Sequence, residues 1–348
     1  MVLIWHEGAL GDLLISRLAL GALREKHPHE EIVLFARSEA RYLLLKAGLV
    51  DQAYPTSLAV AQRFKNVARL YLFAQRPEAF SFLNPLAQTM VSVSTRPLRP
   101  QHLALQELEA LGFWPSRLAL FLQENKAMGR KVILHPGSGG RFKCAPPSAW
   151  RTLGALLKKE GFQISFLLGP AEKDLLKEFA SEETILSEDL EGAVEQLNKA
   201  PFFIGHDSGL SHLAAALGLY TFCLFGPTAW WHWAPFGYTV AMVKRCQCLE
   251  KGLDPHHCPQ PCLSEIRAEE LARIFLDLST TARWNHHLPK ASGYNPGFVD
   301  NWGSVRKKAV EPQEAVVAAE EPRDSGKSGV PELGIQVVEV GEEHFPKG

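Results

Sequence analysis

Residues that could carry acid–base and phosphate chemistry follow three short apolar runs of this 348-residue sequence. Asp12 ends a glycine-bearing turn, Lys143 comes three residues after the turn 136–140, and Asp207 lies at the end of the third run. A carboxylate can accept a proton as a general base, and lysine is a natural counter-ion for phosphate. These residue types predict proton abstraction next to a bound phosphate group.

The segment around Asp207 predicts a phosphate site at the start of a helix. The apolar run 202–205 before it is typical of a strand that is buried on both faces of a parallel sheet. Apolar residues then recur over 210–217 at the spacing of one helical face. Because Ser208 is a capping residue and Gly209 leaves the first turn bare, the free N–H groups there could hold a diphosphate.

The other two residues occupy equivalent places. The run 131–135 predicts a strand, and the amides of the glycine-rich turn after it can approach an anion closely before the chain reaches Lys143. Val2–His6 predicts the first strand and 13–26 predicts one helix, which places Asp12 at the helix N-terminus. By spacing alone, Asp12 is either a helix cap or a catalytic base.

Strands and helices alternate through both halves of the chain, which predicts an α/β fold with parallel sheets covered on both sides. In such sheets ligands bind beyond the carboxyl ends of the strands. We predict a first domain over 1–122, a second over 131–284 and a mostly disordered acidic tail over 285–348. We expect 64–73 to be helical, and the segment 57–101 shows no readable chemistry.

Composition excludes some classes of protein. The formal net charge of −1 gives no global reason to expect a nucleic-acid partner. The sequence contains no run of 18 apolar residues, so we expect a cytoplasmic protein without a membrane span.

Four of the six cysteines lie close together in the sequence, with two histidines between them. These cysteines are Cys246, Cys248, Cys258 and Cys262. Four thiolates could bind a structural zinc ion, although the usual spacing of two residues between paired cysteines is absent. The alternative interpretation is a loop of reduced thiols beside prolines.

Three stretches together resemble the ADP-heptose:lipopolysaccharide heptosyltransferases, the family 9 glycosyltransferases. They are GALGDLLISRLALGALREKHP (8–28), ILHPGSGGRFKCAPPSAW (133–150) and GHDSGLSHLAAALGLYTFCLFGPT (205–228). The resemblance extends over about residues 1–284. It implies the fold type called GT-B, in which two Rossmann-like parallel-sheet domains face each other across a cleft. The N-terminal half would hold the acceptor and the C-terminal half the nucleotide sugar.

The resemblance also implies roles for individual residues. Asp12 corresponds to the general base, and Lys143 stabilises charge on the leaving diphosphate. The implied donor-binding residues are Ser138, Gly139, Asp207, Ser208, Gly209, Leu210 and His212. Two departures from the family pattern concern the donor: Cys144-Ala145-Pro146 stands where a tryptophan commonly follows the lysine, and Ala229 replaces the aspartate of FGPTD.

The expected function is therefore transfer of a sugar, with inversion at the anomeric carbon, from ADP-heptose to a lipopolysaccharide-core or related lipid-linked glycan. No cofactor is required if the named groups stabilise the leaving diphosphate. A lipid-linked acceptor would bring a cytoplasmic enzyme into peripheral contact with the inner face of the inner membrane. Two alternatives are a nucleotide-sugar epimerase, which also uses two α/β halves, and a non-catalytic nucleotide-binding scaffold.

Overall fold

A computed structural model of the chain describes residues 1–116, 118–123, 125–253, 261–280 and 335–340. These residues form two sheets, one from each half of the sequence, and every strand pair in both sheets is parallel. The α/β fold with two parallel-sheet domains is thereby confirmed. The exact domain boundaries at 122 and 131 stay a prediction.

The first sheet has five strands in the order β3-β2-β1-β4-β5. They are β1 (Val2–His6), β2 (Ile32–Ala36), β3 (Gln52–Tyr54), β4 (Arg69–Ala74) and β5 (Thr89–Ser94). Its helices are α1 (Leu10–Ile15), α2 (Arg17–Lys26), α3 (Arg41–Lys46), α4 (Leu58–Ala61), a 3-10 helix (Pro77–Leu86) and α5 (Leu103–Leu111).

The second sheet has seven strands in the order β12-β11-β10-β9-β6-β7-β8. They are β6 (Lys131–His135), β7 (Gln163–Leu168), β8 (Thr184–Leu186), β9 (Phe202–His206), β10 (Tyr220–Phe225), β11 (Thr239–Lys244) and β12 (Ile335–Val340). Its helices are α6 (Pro147–Lys159), α7 (Leu190–Leu197), α8 (Gly209–Ala216), α9 (Trp230–Trp233), α10 (Gln247–Glu250) and α11 (Ala268–Thr280). Two 3-10 helices, Arg141–Lys143 and Pro170–Phe179, complete it.

The strand orders explain where a ligand would bind. In the first sheet the chain leaves β1 for β2 on one side and later returns to place β4 on the other. In the second sheet β6 lies in the same way between β7 and β9. Loops leave such switch points in opposite directions and open a crevice at the carboxyl ends of the strands. The turn of Asp12 follows β1, and the turns of Lys143 and Asp207 follow β6 and β9.

One apolar cluster joins the two domains. Leu13 and Leu14 of α1 are fully buried in the same cluster as Leu213 and Ala214 of α8. Burying a leucine side chain completely stabilises a protein by about 1.5–3 kcal/mol relative to leaving it exposed. This packing therefore holds the beginnings of α1 and α8, and the polar residues beside them, in a fixed relation.

Two predicted elements differ from the structure. The single helix expected over 13–26 is interrupted at Ser16, where α1 ends and α2 begins. The Ser16 hydroxyl lies 3.1 Å from the carbonyl oxygen of Asp12, which also accepts the Ser16 N–H over 3.0 Å, and a side chain that bonds back four residues in this way often bends a helix. The helix expected over 64–73 is also wrong, because Arg69–Ala74 is strand β4 next to β1.

The described part of the predicted tail is strand β12. It pairs in parallel with β11 from Thr239↔Ile335 to Lys244↔Val340 and buries the side chains of its first and last residues. The remaining tail residues, for which disorder was predicted, lie outside the described residues. Among the helices that the structure describes, none combines the length and apolar character needed to cross a bilayer.

Candidate functional site

Asp12 occupies the third position of α1, at the carboxyl end of β1. The Ala9 N–H donates a hydrogen bond to Oδ2 of Asp12 over 2.9 Å, so the carboxylate does close the helix start as a cap. Burial raises the pKa of Asp12, and the charge of Asp207 raises it further, whereas the Ala9 N–H and the charge of Lys143 lower it. A partly desolvated carboxylate with a raised pKa is a stronger base than a solvated one.

Gly8 makes a close approach to this carboxylate. A Cβ atom added to Gly8 would lie 2.4 Å from Cβ of Asp12 and 3.0 Å from Oδ2 of Asp12. It would also lie 2.7 Å from Cε1 of His6, whose Nδ1 accepts a hydrogen bond from the Gly8 N–H. The chain therefore requires glycine here because Asp12 and His6 leave no room for a side chain.

We expect Gly8→Ala to lower kcat about 10²-fold, because the added methyl group must displace Asp12 and a shift of about 1 Å at a reacting group has an effect of that size. Donor affinity should stay unchanged, because the residues expected to bind the donor lie in the second domain. The described neighbours of Gly8 all lie in the first domain. Steady-state kinetics and calorimetric titration with donor measure the two quantities. A variant with an unchanged kcat would show that Asp12 does not depend on this approach.

Lys143 and Asp207 form an ion pair across the two turns of the second domain. Nζ of Lys143 lies 2.9 Å from Oδ2 of Asp207, with 18% and 11% of the side chains exposed. The Ser138 hydroxyl donates a hydrogen bond to the backbone carbonyl of Asp207 over 2.7 Å. An ammonium group that is largely desolvated and held in place can stabilise an anion more strongly than a mobile surface lysine.

His206, the last residue of β9, holds the loop that carries Lys143. The Ala145 N–H donates to Nε2 of His206 over 2.8 Å, so the ring proton lies on Nδ1, 3.3 Å from the carbonyl of Gly137. Burial lowers the pKa of His206 to about 3, which keeps the ring neutral. The ring packs edge to face on Trp150 at 4.9 Å between centroids. His206 thus ties both ends of the loop to the sheet.

The start of α8 faces the start of α1. Ser208 is the N-cap of α8, and its hydroxyl accepts a hydrogen bond from the Ser211 N–H. A Cβ atom on Gly209 would lie 3.0 Å from Cδ2 of Leu10, and one on Gly11 would lie 3.1 Å from Cδ2 of His212. Two glycines therefore let the helix starts approach each other closely. His212 is buried in this contact, and burial lowers its pKa to about 4.

A cavity of about 360 Å³ opens beside the helix start. The predicted residues that line it are Ser138, Gly139, Ser208, Gly209 and Leu210. Further lining comes from residues that sequence reasoning missed, namely His135, Glu172 and the turn 187–190 after β8. Glu172 lies against Gly137, where an added Cβ would be 2.4 Å from its Cγ, and accepts a hydrogen bond from the Gly169 N–H. The cavity has the size of a small-molecule site.

The structure brings most predicted site residues together. Asp12, Lys143 and Asp207 act on one another electrostatically, the five lining residues border the adjacent cavity, and His212 lies in the contact between α1 and α8. The predicted zinc ligands are only partly described: Cys246 is buried, Cys248 and Cys262 are half-buried, and Cys258 lies outside the described residues. Among the described residues, no group of three potential metal ligands comes together.

Comparison with known proteins relates this arrangement to one family. A model of glycosyltransferase family 9 (heptosyltransferase) matches residues 67–253, a range that contains Lys143 and Asp207 but not Asp12. A stretch of 88 residues, 24% of this chain, is 38% identical to lipopolysaccharide heptosyltransferase 1 of Escherichia coli (strain K12). That match spans only 28% of the length of this curated relative.

Solved structures share the fold over most of the chain. The family 9 glycosyl transferase of Veillonella parvula DSM 2008 superposes with a TM-score of 0.62 at 15% identity, covering 80% of this chain and 96% of that one. Escherichia coli ADP-heptose lps heptosyltransferase II gives a TM-score of 0.63 at 18% identity, covering 80% and 98%. These likenesses confirm the expected GT-B type of fold. Since the family model covers more than half of the sequence, the chain belongs to glycosyltransferase family 9, the heptosyltransferase family.

Proposed function

We propose that this protein is an inverting glycosyltransferase that moves heptose from ADP-heptose to a lipopolysaccharide-core or related glycan. The observation that carries the proposal is the placement of a half-buried carboxylate, Asp12, on the helix start that meets α8, with the Lys143–Asp207 pair directly before α8 and a cavity large enough for a nucleoside beside it. An attacking hydroxyl and a leaving diphosphate need these two kinds of group on opposite sides of one carbon atom.

The donor would bind in the second domain. The Ser208 hydroxyl takes the Ser211 N–H, so the N–H groups of Gly209 and Leu210 are those in the first turn of α8 that, with Lys143, would form a site for a diphosphate. The nucleoside would then occupy the cavity of about 360 Å³, where the Glu172 carboxylate can accept hydrogen bonds from ribose hydroxyls. An Escherichia coli heptosyltransferase of the same fold has been solved with ADP and with ADP-2-deoxy-2-fluoro heptose. That supports an adenine nucleotide as the donor here.

Asp12 would take the proton of the acceptor hydroxyl as that oxygen attacks the anomeric carbon. The bond between this carbon and the diphosphate oxygen breaks, and the electron pair leaves with ADP. Lys143 and the amides of α8 stabilise the charge that develops on the leaving group. In this single displacement the acceptor oxygen attacks from the side opposite to the leaving diphosphate, so the configuration at the anomeric carbon is inverted.

The test is incubation of the purified protein with ADP-, UDP- and GDP-sugars, first without and then with a lipopolysaccharide-core acceptor. A thermal shift with ADP-heptose alone, together with glycan product of inverted configuration by NMR, supports the proposal. Epimerised nucleotide sugar formed without acceptor would support the epimerase alternative. Nucleotide binding without transfer to any acceptor would support the scaffold alternative.

The acceptor would bind along the carboxyl edge of the first sheet. Arg37 follows β2, Arg76 follows β4 and Arg96 follows β5, and all three are exposed on the edge where Asp12 follows β1. Within the described residues, none of the three takes part in an ion pair. Exposed guanidinium groups on the sheet edge that also carries Asp12 favour an anionic acceptor, and a lipid-linked one would bring the enzyme to the inner face of the membrane.

We expect the triple change of Arg37, Arg76 and Arg96 to alanine to raise the KM for acceptor at least about 10-fold, because each charged hydrogen bond contributes about 1.5–3 kcal/mol. The affinity for donor should not change. Arg63→Ala is the matched control, since Arg63 is exposed on the segment that enters β4 from the opposite edge. An unchanged acceptor KM in the triple variant would place the acceptor elsewhere.

We expect kcat/KM to fall at acid pH, with a midpoint above the usual range for aspartate. Burial raises the pKa of Asp12, and the base acts only when ionised, so activity is present above this pKa and is lost as pH falls through it. A pH–rate profile measures the midpoint. An acid limb at the ordinary pKa of aspartate, or one that persists in the residual rate of Asp12→Asn, would contradict the assignment.

A further inference from the structure

A buried chain of polar side chains lies directly behind the turn that carries Asp12. His6, at the end of β1, accepts a hydrogen bond at Nδ1 from the Gly8 N–H over 3.1 Å. Nε2 of His6 lies 3.0 Å from the Ser16 hydroxyl, which lies 2.9 Å from Oε1 of Glu107 on α5. The same hydroxyl lies 3.1 Å from the backbone carbonyl of Asp12. These hydrogen bonds connect Glu107 on α5, through Ser16 at the break between α1 and α2 and through His6, to Gly8, which closely approaches Asp12.

Counting protons determines the direction of each hydrogen bond. Because Nδ1 of His6 accepts from Gly8, the neutral ring carries its proton on Nε2 and donates to the Ser16 oxygen. The Ser16 hydroxyl has one proton of its own but two oxygen neighbours, Oε1 of Glu107 and the carbonyl of Asp12. An ionised Glu107 would compete with that carbonyl for the one proton. A neutral Glu107 donates to Ser16, which then accepts twice and donates to the Asp12 carbonyl, so each of these hydrogen bonds has one proton.

The surroundings of Glu107 favour its neutral form. The side chain is fully buried, and Oε2 has no hydrogen-bond partner within the described residues. Burial raises the pKa of Glu107 well above its usual range, the Ser16 hydroxyl lowers it and the charge of Asp12 raises it. His6 is neutral, since burial lowers its pKa to about 3.

The buried cation that follows Ser16 in the sequence has partners other than Glu107. Arg17 directs its guanidinium to the backbone carbonyls of Leu14, Leu120 and Phe236. Burying an unpaired carboxylate in this way is strongly unfavourable, whereas burying a neutral acid costs much less.

We propose that Glu107 is a neutral carboxylic acid that donates to Ser16 and, through Ser16 and His6, positions the turn that carries Asp12. This role rests on the proposed function of Asp12 as the base. Glu107, Ser16 and His6 are positioning residues, since the described contacts connect them to Gly8 and to the Asp12 backbone and not to the cavity. A neutral partner holds the turn without opposing the negative charge that Asp12 needs.

Kinetics of two variants test the positioning role. Glu107→Gln places an amide N–H₂ where the acid proton lies and can donate to Ser16, so we expect kcat close to that of the unsubstituted protein. Glu107→Leu removes the donor, and we expect kcat to fall about 10²-fold. Donor affinity by titration should be the same in both variants. Glu109→Gln, which is exposed on the same helix, is the matched control and should change neither quantity.

Two variants of His6, at the other end of this series of hydrogen bonds, give a second comparison of kcat. His6→Asn puts an amide oxygen near the position of Nδ1 and keeps an acceptor for the Gly8 N–H, whereas His6→Leu keeps none. We expect the asparagine variant to retain more of kcat than the leucine variant at equal donor affinity. A purely structural role would instead lower stability and donor affinity along with kcat.

Infrared spectroscopy tests the protonation of Glu107 without any assay of activity. The difference spectrum between the unsubstituted protein and Glu107→Gln at neutral pH should show the carbonyl stretch of one neutral carboxylic acid, and Glu109→Gln should not remove it. Absence of this band overturns the proposal, as does a kcat in Glu107→Gln as low as in Glu107→Leu. If the protein transfers no sugar at all, the proposed function fails, while the infrared result still decides the state of Glu107.

Discussion

Replacing Asp12 by asparagine should lower the rate of transfer about 10³-fold, within the range of 10²–10⁴ that a positioned general base contributes. The amide oxygen of asparagine can still accept the Ala9 N–H, which now donates to Oδ2 of Asp12 over 2.9 Å, so α1 should begin as before. The base is lost, while the cap is kept. Asp12→Ala removes both and should abolish transfer.

Donor binding separates this result from a folding defect. The described groups proposed to hold the donor belong to the second domain, so both variants should bind ADP-heptose nearly as tightly as the unsubstituted protein. Because Asp12 and Lys143 interact electrostatically, removing the negative charge of Asp12 should slightly tighten binding of the anionic donor. Asp277→Asn on the exposed face of α11 is the matched control. Normal turnover in Asp12→Asn would show that Asp12 is only a helix cap.

Replacing Lys143 by methionine should lower kcat/KM about 10²–10³-fold, the usual effect of removing one stabiliser of developing negative charge. Lys143 now pairs with Asp207 over 2.9 Å, in a site where less than a fifth of either side chain is exposed. Methionine keeps the length of the aliphatic stem but leaves the Asp207 carboxylate without its partner beside an anionic ligand. Donor affinity should therefore fall as well.

A double variant distinguishes the two parts of this effect. Asp207→Asn added to Lys143→Met removes the repulsion between the bare carboxylate and the diphosphate, so donor affinity should recover in part while kcat stays low. Lys159→Met, on the exposed last turn of α6, is the matched control. Donor titrations and turnover that are both unchanged in Lys143→Met would exclude this lysine from the site.

The local elements of the site were predictable because they depend on short-range patterns. The apolar runs before Asp12, Lys143 and Asp207 are strands β1, β6 and β9, as the sequence indicated. The Ser208 cap and the helix after it were also predictable, since a capping residue followed by leucine and alanine at helical spacing favours a helix that begins at that residue. Family membership followed from the same three segments.

The parts that were wrong or missed depend on contacts between distant residues. Arg69–Ala74 resembles a helix by itself but becomes a strand because β1 and β5 supply its hydrogen-bond partners. The break at Ser16 coincides with a hydroxyl that contacts Glu107, 91 residues away. His206 carries no local signal of function, because its partners at Gly137 and Ala145 come from another strand's loop.

The sequence alone determined the alternation of strands and helices, the residue types at the three turns and the family. Each of these depends on residues that are close to one another in the sequence. Only the tertiary structure decided that α1 meets α8 through Gly11 and Gly209, that Lys143 pairs with Asp207, and that Glu107 lies buried behind Asp12. Desolvation, and with it the raised pKa of Asp12, depends on which distant surfaces exclude water from a group. That property exists only after the two domains have packed together.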